Sequence, residues 1–449
     1  MANNHANYQG RLDYIRQLLA EHLGVSSENA EHTEITPIEY DPNWPFKYNN
    51  FVYRILLPID TVVGHRNGRD TDETGIRKQP GCVPIPAGTR EFILRLSNPE
   101  ATDMHPETRV QNEVGLITLA SAALSGIKPA VVPRVFGWGS ASGERLGWIL
   151  QELMPGVPLL EPYENMSLDQ KKGILAQMAT LLKALQNYRL PDSITGWGGV
   201  TFDDSGAIVS APMTNVGAGP WTSFEDSYRA RLQIALSAAD ENPHLRGWQD
   251  NGIRDRVNAF IQDGLSAQFA HLASKQARTI VHADFTPDNL LYDPATGRVT
   301  ALLDYDFACI LHPAYEFFHS FRNSGGEFTG WKGDTTPLEK EALELRRAKL
   351  TGWFISPLPT PVASENGPAV DWEVAQAWEG ELQTQQVNRP SEIEGIEQIA
   401  DVDAVLNCLS PWRLTNGDFL RMNPGEDQRA ALRRMAEREL TVLLDHVGF

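Results

Sequence analysis

Cysteine, long apolar runs and positive charge are all scarce in this chain. Its 449 residues include three cysteines, Cys82, Cys309 and Cys408, without the spacing of a metal or redox motif. Such sparse use favours a reducing compartment, where a buried apolar role is expected for Cys309. No stretch approaches about 18 consecutive apolar residues, so we expect no membrane-spanning helix. The first residues are polar and lack a signal-peptide core, which predicts a cytoplasmic protein.

The charge balance is strongly negative. The chain has 58 acidic against 39 basic residues, a net charge of −19. Proteins that bind nucleic acid need a basic stripe to neutralise phosphates, and none is visible, so we predict no nucleic-acid partner. An amine-bearing substrate would suit an acidic protein, but the same charge also simply keeps a protein soluble. No segment indicates a protein partner.

The length predicts two or three packed units rather than one core. The first part of the chain has strand and helix patterns that suggest a small lobe of mixed structure, with a long exposed loop at about 60–88. They comprise a helix at 11–24, strands at 51–57 and 91–96, a helix at 106–124, and strands at 131–137 and 148–153. A Pro155-Gly156 break then precedes a mainly helical remainder. Its predicted helices lie at 168–188, 224–239, 253–275, from 315, at 338–350 and at 428–447. Residues 356–370 and 387–427 have a mixed, proline-containing pattern without a predicted element.

The most informative stretch is Ile280–Leu291, which contains the pattern H-x-D-x-x-x-x-N. Asp284 and Asn289 lie five residues apart, and Asp304 follows fifteen residues after Asn289. A kinase-type phosphoryl-transfer site uses one carboxylate for the acceptor hydroxyl, and an amide and a second carboxylate for Mg²⁺. The spacing therefore predicts Asp284 as the catalytic residue and Asn289 and Asp304 as metal ligands.

A predicted hairpin explains how the two metal ligands meet. An apolar run follows Asn289, residues 293–297 have a turn composition, and β-favouring residues precede Asp304. Asn289 thus comes just before one arm and Asp304 just after the other. Folding the hairpin would bring both to its open end, where one metal could bridge them.

With these motifs in order, the chain resembles the aminoglycoside phosphotransferase and choline kinase-like family, which has the protein-kinase fold. The resemblance covers roughly residues 45–325 and is most specific in the catalytic segments. The supporting segments are Tyr48–Arg54, Phe92–Leu96, Asn112–Val114, Leu150–Leu159, His282–Leu291, Leu303–Ala308 and His312–Phe317. It implies an α+β, two-lobed protein-kinase-like fold. Its parts would be an N-terminal helix and extension (1–45), a nucleotide-binding N-lobe with a small antiparallel sheet and one helix (46–153), and a mainly helical catalytic C-lobe (154–449).

The resemblance also implies roles in nucleotide binding. Arg95 stands where protein kinases have their phosphate-binding lysine, and Glu113 would be its helix partner. The alternative is a surface Arg on an edge strand and a Glu on an exposed helix face. The remaining implied contacts are Asn49 and Asn50 in the loop over the phosphates, and Gln151 and Met154 in the adenine slot. The loop over the phosphates is not glycine-rich here, although backbone amides can bind phosphate without glycine.

The resemblance also implies residues that support the catalytic loop, the segment that carries Asp284 and Asn289. His282 would pack and hydrogen-bond beneath it. His312 and Glu316 replace the two acids of the family's D-P-x-x-D-L segment, and Glu316 would still brace the loop from one methylene farther away. Asp306 is an additional acid near the metal ligands, either supporting them or simply solvated.

The sequence therefore predicts an Mg²⁺-dependent kinase that transfers the γ-phosphoryl group of ATP or GTP to a hydroxyl or amine of a small-molecule acceptor. Only a short segment separates Asp304 from His312, which disfavours a protein kinase. Two alternatives stay open: a pseudokinase that binds nucleotide or metabolite without turnover, and a kinase fold with other small-molecule chemistry. The acceptor is not named by the sequence. Candidate pocket aromatics, each of which could equally belong to the core, are Trp331, Trp353, Trp372, Trp378 and Trp412.

Overall fold

The computed structural model describes residues 4–59, 61, 79–102, 104–143, 145–363 and 369–449. The N-terminal lobe contains a five-stranded sheet with helices on it. Its elements are α1 (Tyr8–Leu23), α2 (Ser27–Glu31), β1 (Glu34–Pro37), β2 (Asn50–Leu56), β3 (Glu91–Ser97), α3 (Arg109–Ala123), β4 (Val135–Gly139) and β5 (Trp148–Glu152).

The N-lobe sheet is antiparallel throughout, with strand order β1-β2-β3-β5-β4. Alternate residues of β2, among them Phe51, Tyr53 and Ile55, are buried, as expected when one face of a strand meets a core. The apolar stripe of α1, including Ile15 and Leu19, packs in the same core. The N-terminal helix is thus part of this lobe's packing.

The C-terminal lobe is mainly helical. Its helices are α4 (Leu160–Asn165), α5 (Leu168–Asn187), α6 (Phe224–Glu241), α7 (Ile253–Ala259), α8 (Leu265–Ala270), α9 (Pro313–His319), α10 (Pro337–Thr351), α11 (Trp372–Gln385), α12 (Ile396–Leu409), α13 (Trp412–Thr415), α14 (Gly417–Met422) and α15 (Glu426–His446). Its strands are β6 (Val157–Pro158), β7 (Gly199–Phe202), β8 (Ile208–Ala211), β9 (Thr279–Val281), β10 (Leu290–Asp293), β11 (Arg298–Leu302) and β12 (Cys309–Leu311). Among the helices of the described residues, none combines the length and apolar composition needed to cross a bilayer.

Three short sheets place the catalytic segments. Strands β10 and β11 form a hairpin to which β6 adds a third strand, β9 pairs with β12, and β7 pairs with β8. All these pairings are antiparallel. The loop after β9 and the residues after β11 therefore start from fixed strand ends. The predicted two-lobed α+β fold class is confirmed.

Several predicted boundaries differ from the structure. The predicted strand at 131–137 begins only at Val135, because Pro133 lacks the N–H that a ladder needs, while Val131 is buried and its carbonyl accepts from the Leu302 N–H. Helices α11 and α12 occupy segments for which no helix was predicted. Most of the loop predicted at 60–88 lies outside the described residues.

Candidate active site

The predicted hairpin forms, and Asn289 and Asp304 lie at its open end. Leu290 pairs with Leu302, and the Leu303 N–H donates to the Asn289 carbonyl at 2.9 Å. Asp304 follows directly with a φ of 60°, in the left-handed region that costs a non-glycine residue about 1 kcal/mol. At this residue the backbone turns away from the direction of the preceding strand, at the open end of the hairpin.

Glu316 holds the catalytic loop through its backbone. Its carboxylate accepts the N–H of His282 at 2.7 Å and the N–H of Ala283 at 3.0 Å. Ser320 donates its hydroxyl to the same carboxylate at 2.5 Å. Ala283 has a left-handed φ of 62°, and these hydrogen bonds help to hold it there. Glu316 thus stands in the bracing position implied by the resemblance, and its burial raises its pKa.

His282 lies beneath the loop and is fully buried. Its Nε2 is 2.9 Å from the Leu303 carbonyl, so Nε2 carries the proton and donates. The ring also packs against Tyr305 at a centroid distance of 4.8 Å. His282 therefore ties the catalytic loop to the strand end that precedes Asp304.

Both oxygens of Asp284 have partners. Asn289 donates its amide to Oδ2 at 2.8 Å, and Arg322 donates to Oδ1 at 2.9 Å. Burial raises the pKa of Asp284, and the nearby Asp304 adds to the rise, while Arg322 and the bond from Asn289 act against it. The side chain is still 22% exposed, and that of Arg322 is 61% exposed. The Asp284 carboxylate is therefore held by two hydrogen bonds and is still partly exposed to solvent.

Arg95 lies at the centre of an ionic cluster that joins the two lobes. Its guanidinium is 2.5 Å from Glu113 Oε1, 2.8 Å from Asp304 Oδ1 and 3.5 Å from Asp306 Oδ1. Arg95 and Glu113 are both buried, so the surface alternative for this pair is wrong. A buried guanidinium needs such partners, because an unpaired charge would be costly.

Asp306 is also buried, which excludes the solvated alternative. Asn50 donates its amide to Asp306 Oδ2 at 2.6 Å, and Arg109 lies 3.4 Å from the same oxygen. Arg109 also donates to the Asn50 side chain and to the Asn49 carbonyl, both at 3.1 Å. Asn50 therefore starts β2 with its side chain bound into the cluster, and Asn49 contributes its backbone.

The cluster fits a hard divalent cation. One oxygen from each of Glu113, Asp304 and Asp306 lies within 4.8 Å of the others. Arg95 lies against all three of these groups and Arg109 against Asp306, and carboxylate oxygens are hard donors that suit Mg²⁺. The Asp304 side chain is 41% exposed. Its partial burial acts to raise the pKa of Asp304, but Arg95 outweighs this and leaves that pKa below its ordinary value. Burial, with Asp306 and Asp304 nearby, raises the pKa of Glu113 although Arg95 acts to lower it.

The two residues assigned to the adenine slot lie at the connection between the lobes. Gln151 is in β5, paired with Ile93 and Val135, and Met154 follows the end of that strand. Both side chains are buried. The Gln151 Oε1 has no hydrogen-bond partner among the residues that the structure describes. An unsatisfied acceptor of this kind is compatible with a ligand donor at this position.

His312 replaces a family acid and performs a structural task. It is the N-cap of α9, where its Nδ1 accepts the Ala314 N–H at 3.1 Å. Nε2 therefore carries the proton and donates to the Ser274 carbonyl at 3.1 Å. Burial lowers the pKa of His312 to about 4, so the ring is neutral at pH 7.

The tryptophans proposed as pocket aromatics separate into groups. Trp372 and Trp378 are buried in the core. Trp331 lines a cavity of about 830 Å³ between α10, α12 and α15. Trp353 and Trp412 are exposed, by 67% and 50%. Asp284 does not line the cavity that contains Trp331.

Arg109 and Arg322 are site residues that the sequence did not reveal. Arg109 opens α3 and meets Asp306 across 197 positions of the chain. Arg322 comes just after α9 and meets Asp284 across 38 positions. In the sequence each is only a basic residue near a segment that resembles the family. Basic residues are common on protein surfaces, so this position alone does not indicate a site.

Residues 85–354 match the sequence model of the phosphotransferase enzyme family. The match covers more than half of the chain and includes Arg95, Glu113 and the whole catalytic hairpin. The chain belongs to this family, and it is a phosphotransferase of the small-molecule kinase class. No curated protein sequence matches the chain.

Several solved structures are similar to this chain over most of its length, at low sequence identity. An ethanolamine kinase of Plasmodium vivax is 12% identical, with 97% of this chain and 90% of that chain covered and a TM-score of 0.45. The ADP-bound aminoglycoside phosphotransferase APH(2'')-Ib is 12% identical, with 96% of each chain covered and a TM-score of 0.43. A Ralstonia eutropha protein, described provisionally as an aminoglycoside phosphotransferase, is 13% identical, with 97% of each chain covered and a TM-score of 0.45.

Proposed function

We propose that this phosphotransferase moves the γ-phosphoryl group of ATP or GTP to a hydroxyl or amine of a small-molecule acceptor, with Mg²⁺ bound by Asn289 and Asp304. The observation that carries the proposal is the ionic cluster of Arg95, Glu113, Asp304 and Asp306 beside Asp284. A phosphoryl-transfer site needs both a place for concentrated negative charge and a separate carboxylate for the acceptor.

The contacts of Asp284 support its role toward the acceptor. Asn289 and Arg322 fix the plane of its carboxylate, and Glu316 fixes the loop on which it lies. Asp284 would accept the proton of the attacking hydroxyl, or orient that hydroxyl in line with the phosphorus. Such positioning is the main contribution that a protein makes to phosphoryl transfer.

Arg95 supports charge neutralisation at the phosphate side. It is held by Glu113 behind it and Asp304 beside it, so its guanidinium is already positioned before any nucleotide binds. Mg²⁺, when bound, would neutralise the phosphate oxygens and orient the transferring group. The residues present fit this ion because they offer carboxylate and amide oxygens.

The experiment is a comparison of Asp284→Asn with the wild type. Asparagine keeps the size of the side chain but cannot act as the base. We expect Mg–nucleotide binding by calorimetry to stay within a few-fold of wild type, while phosphoryl transfer falls by about 10²- to 10⁴-fold. Nucleotide hydrolysis by water serves as the assay until an acceptor is identified, because water then occupies the acceptor position.

The alternatives predict different results. A pseudokinase would bind Mg–nucleotide but show no hydrolysis, and no transfer to any acceptor in a small-molecule cell extract. A fold used for other chemistry would have activity that does not require nucleotide. Loss of nucleotide binding in Asp284→Asn would show that Asp284 faces the nucleotide rather than the acceptor.

A further inference from the structure

Two segments outside the family match contact each other across the lobes. One is the loop at residues 38–49, between β1 and β2 of the N-lobe. The other is the pair of short helices α13 and α14 in the C-lobe. The match spans residues 85–354 and includes neither. The contact therefore lies outside the matched part of the chain.

The contact has a polar part and an aromatic part. The backbone N–H of Lys47 donates to Asp418 Oδ2 at 2.9 Å. Asp418 is buried, and its other oxygen pairs with Arg421. Beside it, the rings of Phe46 and Trp412 have centroids 5.4 Å apart. A hydrogen bond to a buried carboxylate is stronger than a neutral one, so the loop has a defined anchor on the C-lobe.

The same loop ends at the carboxylate cluster. Asn50, three residues after Lys47, donates its side-chain amide to Asp306. Three residues of chain span at most roughly 11 Å. Between them, the Tyr48 carbonyl accepts from Asn98 at 2.7 Å. The segment from Lys47 to Asn50 is thus fixed at both ends, and its Asn50 end contacts Asp306, which shares Arg95 with the proposed metal ligand Asp304.

We propose that Asp418 is a positioning residue for nucleotide binding, which acts by anchoring the 38–49 loop to the C-lobe. This inference rests on the proposed function. Without the anchor the loop would occupy more conformations, and nucleotide binding would have to order it at a cost in affinity. Asp418 bonds the loop backbone and not the reacting atoms, so the turnover of bound nucleotide should not depend on it.

The test compares Mg–ADP affinity by calorimetry in four variants. Asp418→Ala removes the anchor, and we expect a Kd about tenfold higher. Trp412→Leu removes the aromatic contact, and we expect a several-fold increase. Two matched controls should stay within twofold of wild type. Arg421→Gln breaks the ion pair but leaves Asp418 to accept from Lys47, and Trp353→Leu makes the same change at a tryptophan exposed elsewhere.

Two further measurements separate positioning from general stability. In slow nucleotide hydrolysis, Asp418→Ala should raise the nucleotide KM and leave kcat unchanged. Amide hydrogen exchange of residues 38–49 should become faster in Asp418→Ala and not in Arg421→Gln. If circular dichroism shows that Asp418→Ala is unfolded, Trp412→Leu and Phe46→Leu carry the test, because both keep an apolar side chain.

The outcomes distinguish this inference from the proposed function. A wild-type protein that does not bind Mg–ADP would overturn the proposed function and, with it, the role of Asp418. A wild-type protein that binds, together with a folded Asp418→Ala of unchanged Kd and exchange, would overturn the role of Asp418 alone.

Discussion

At the scale of single residues, the site depends on the buried guanidinium of Arg95, which several acidic side chains share. Arg95 pairs with Glu113 from α3 and with Asp304 and Asp306 from beyond the hairpin. A guanidinium with three acidic neighbours cannot be replaced by a neutral side chain without leaving buried negative charge. Arg95 is therefore part of the folded site itself, and we expect it also to affect the binding of phosphate.

Replacing Arg95 with Met tests its role in neutralising phosphate. We expect a rise in nucleotide KM or a fall in kcat of at least about tenfold, equal to about 1.4 kcal/mol. Arg95→Lys should recover part of the loss, because it restores the charge but not the fork of donors. Wild-type kinetics in Arg95→Met would show that Arg95 has no part in catalysis.

Arg322 gives a prediction about pH. Its cation favours the ionised form of Asp284 and so acts to lower the pKa of that carboxyl. In Arg322→Gln the pKa of Asp284 should rise, and the base would be lost at a higher pH. The acid limb of the kcat–pH profile should therefore shift to higher pH. Arg347→Gln, the same change at an exposed arginine, is the control; equal profiles in the two variants would exclude this effect.

Residue spacing predicted part of the site and could not predict the rest. His282, Asp284, Asn289 and Asp304 lie in one local segment whose geometry follows from a hairpin, so their spacing is informative. Arg109 depends on the meeting of α3 with a segment 197 positions away, which no local pattern encodes. The sequence also could not decide whether Asp306 was solvated, because burial is a property of the whole fold.

At the scale of elements, helix α9 shows how a substitution keeps a structural function. The family acid at its N-cap is His312 here, and the neutral imidazole accepts the same kind of backbone bond that an aspartate would. The second acid, now Glu316, still reaches two N–H groups of the catalytic loop. Helix α9 thus keeps both its N-cap and its support of the catalytic loop, with an imidazole in place of one carboxylate and a longer side chain for the other.

The His312 cap predicts a dependence of stability on pH. Its pKa is lowered to about 4 in the folded protein, against an ordinary value of about 6.5. The unfolded chain takes up the proton first as pH falls, so this stability is complete above pH 6.5 and is lost toward pH 4. We expect a loss of about 2 kcal/mol in the free energy of unfolding between pH 7 and pH 5, measured with urea. His312→Asn caps without titrating, so its loss over this range should be smaller; an equal loss would exclude His312 as the source.

Elements that the sequence missed had weak or mixed signals. Helix α12 has apolar residues at helical spacing, such as Ile399, Val402 and Leu406, but it lies within a proline-containing region that obscured them. The hairpin β7–β8 has strands of only four residues. Its place against α3 depends on Asn112, which accepts the Val200 N–H at 2.9 Å, a contact between distant parts of the chain.

At the scale of the whole molecule, the site exists only when both lobes are present. Arg95 and Glu113 come from the N-lobe, and Asp304 and Asp306 from the C-lobe. A ligand that needs all of them binds the folded state and not either lobe alone. Binding must then stabilise the entire chain by mass action.

Mg–ADP at about a hundred times its Kd should raise the free energy of unfolding by about 2.7 kcal/mol. Thermal unfolding, followed by tryptophan fluorescence, would measure the shift. Asp304→Ala should abolish the shift and Asn289→Ala should reduce it, because a neutral amide contributes less to cation binding than a carboxylate. A full shift in Asp304→Ala would remove Asp304 from the metal site.

Because Asp304 has a left-handed φ, glycine can replace it without backbone strain, and the inactive protein that results could be used to capture the acceptor. Glycine adopts that φ freely, so Asp304→Gly would relieve the backbone while deleting the carboxylate, and should unfold at a higher temperature than Asp304→Ala. Such a protein would be catalytically silent yet well folded, with Asp284 and the C-lobe intact. Immobilised as bait in a metabolite extract, it would retain its acceptor without consuming it, and mass spectrometry of the eluate would identify the compound.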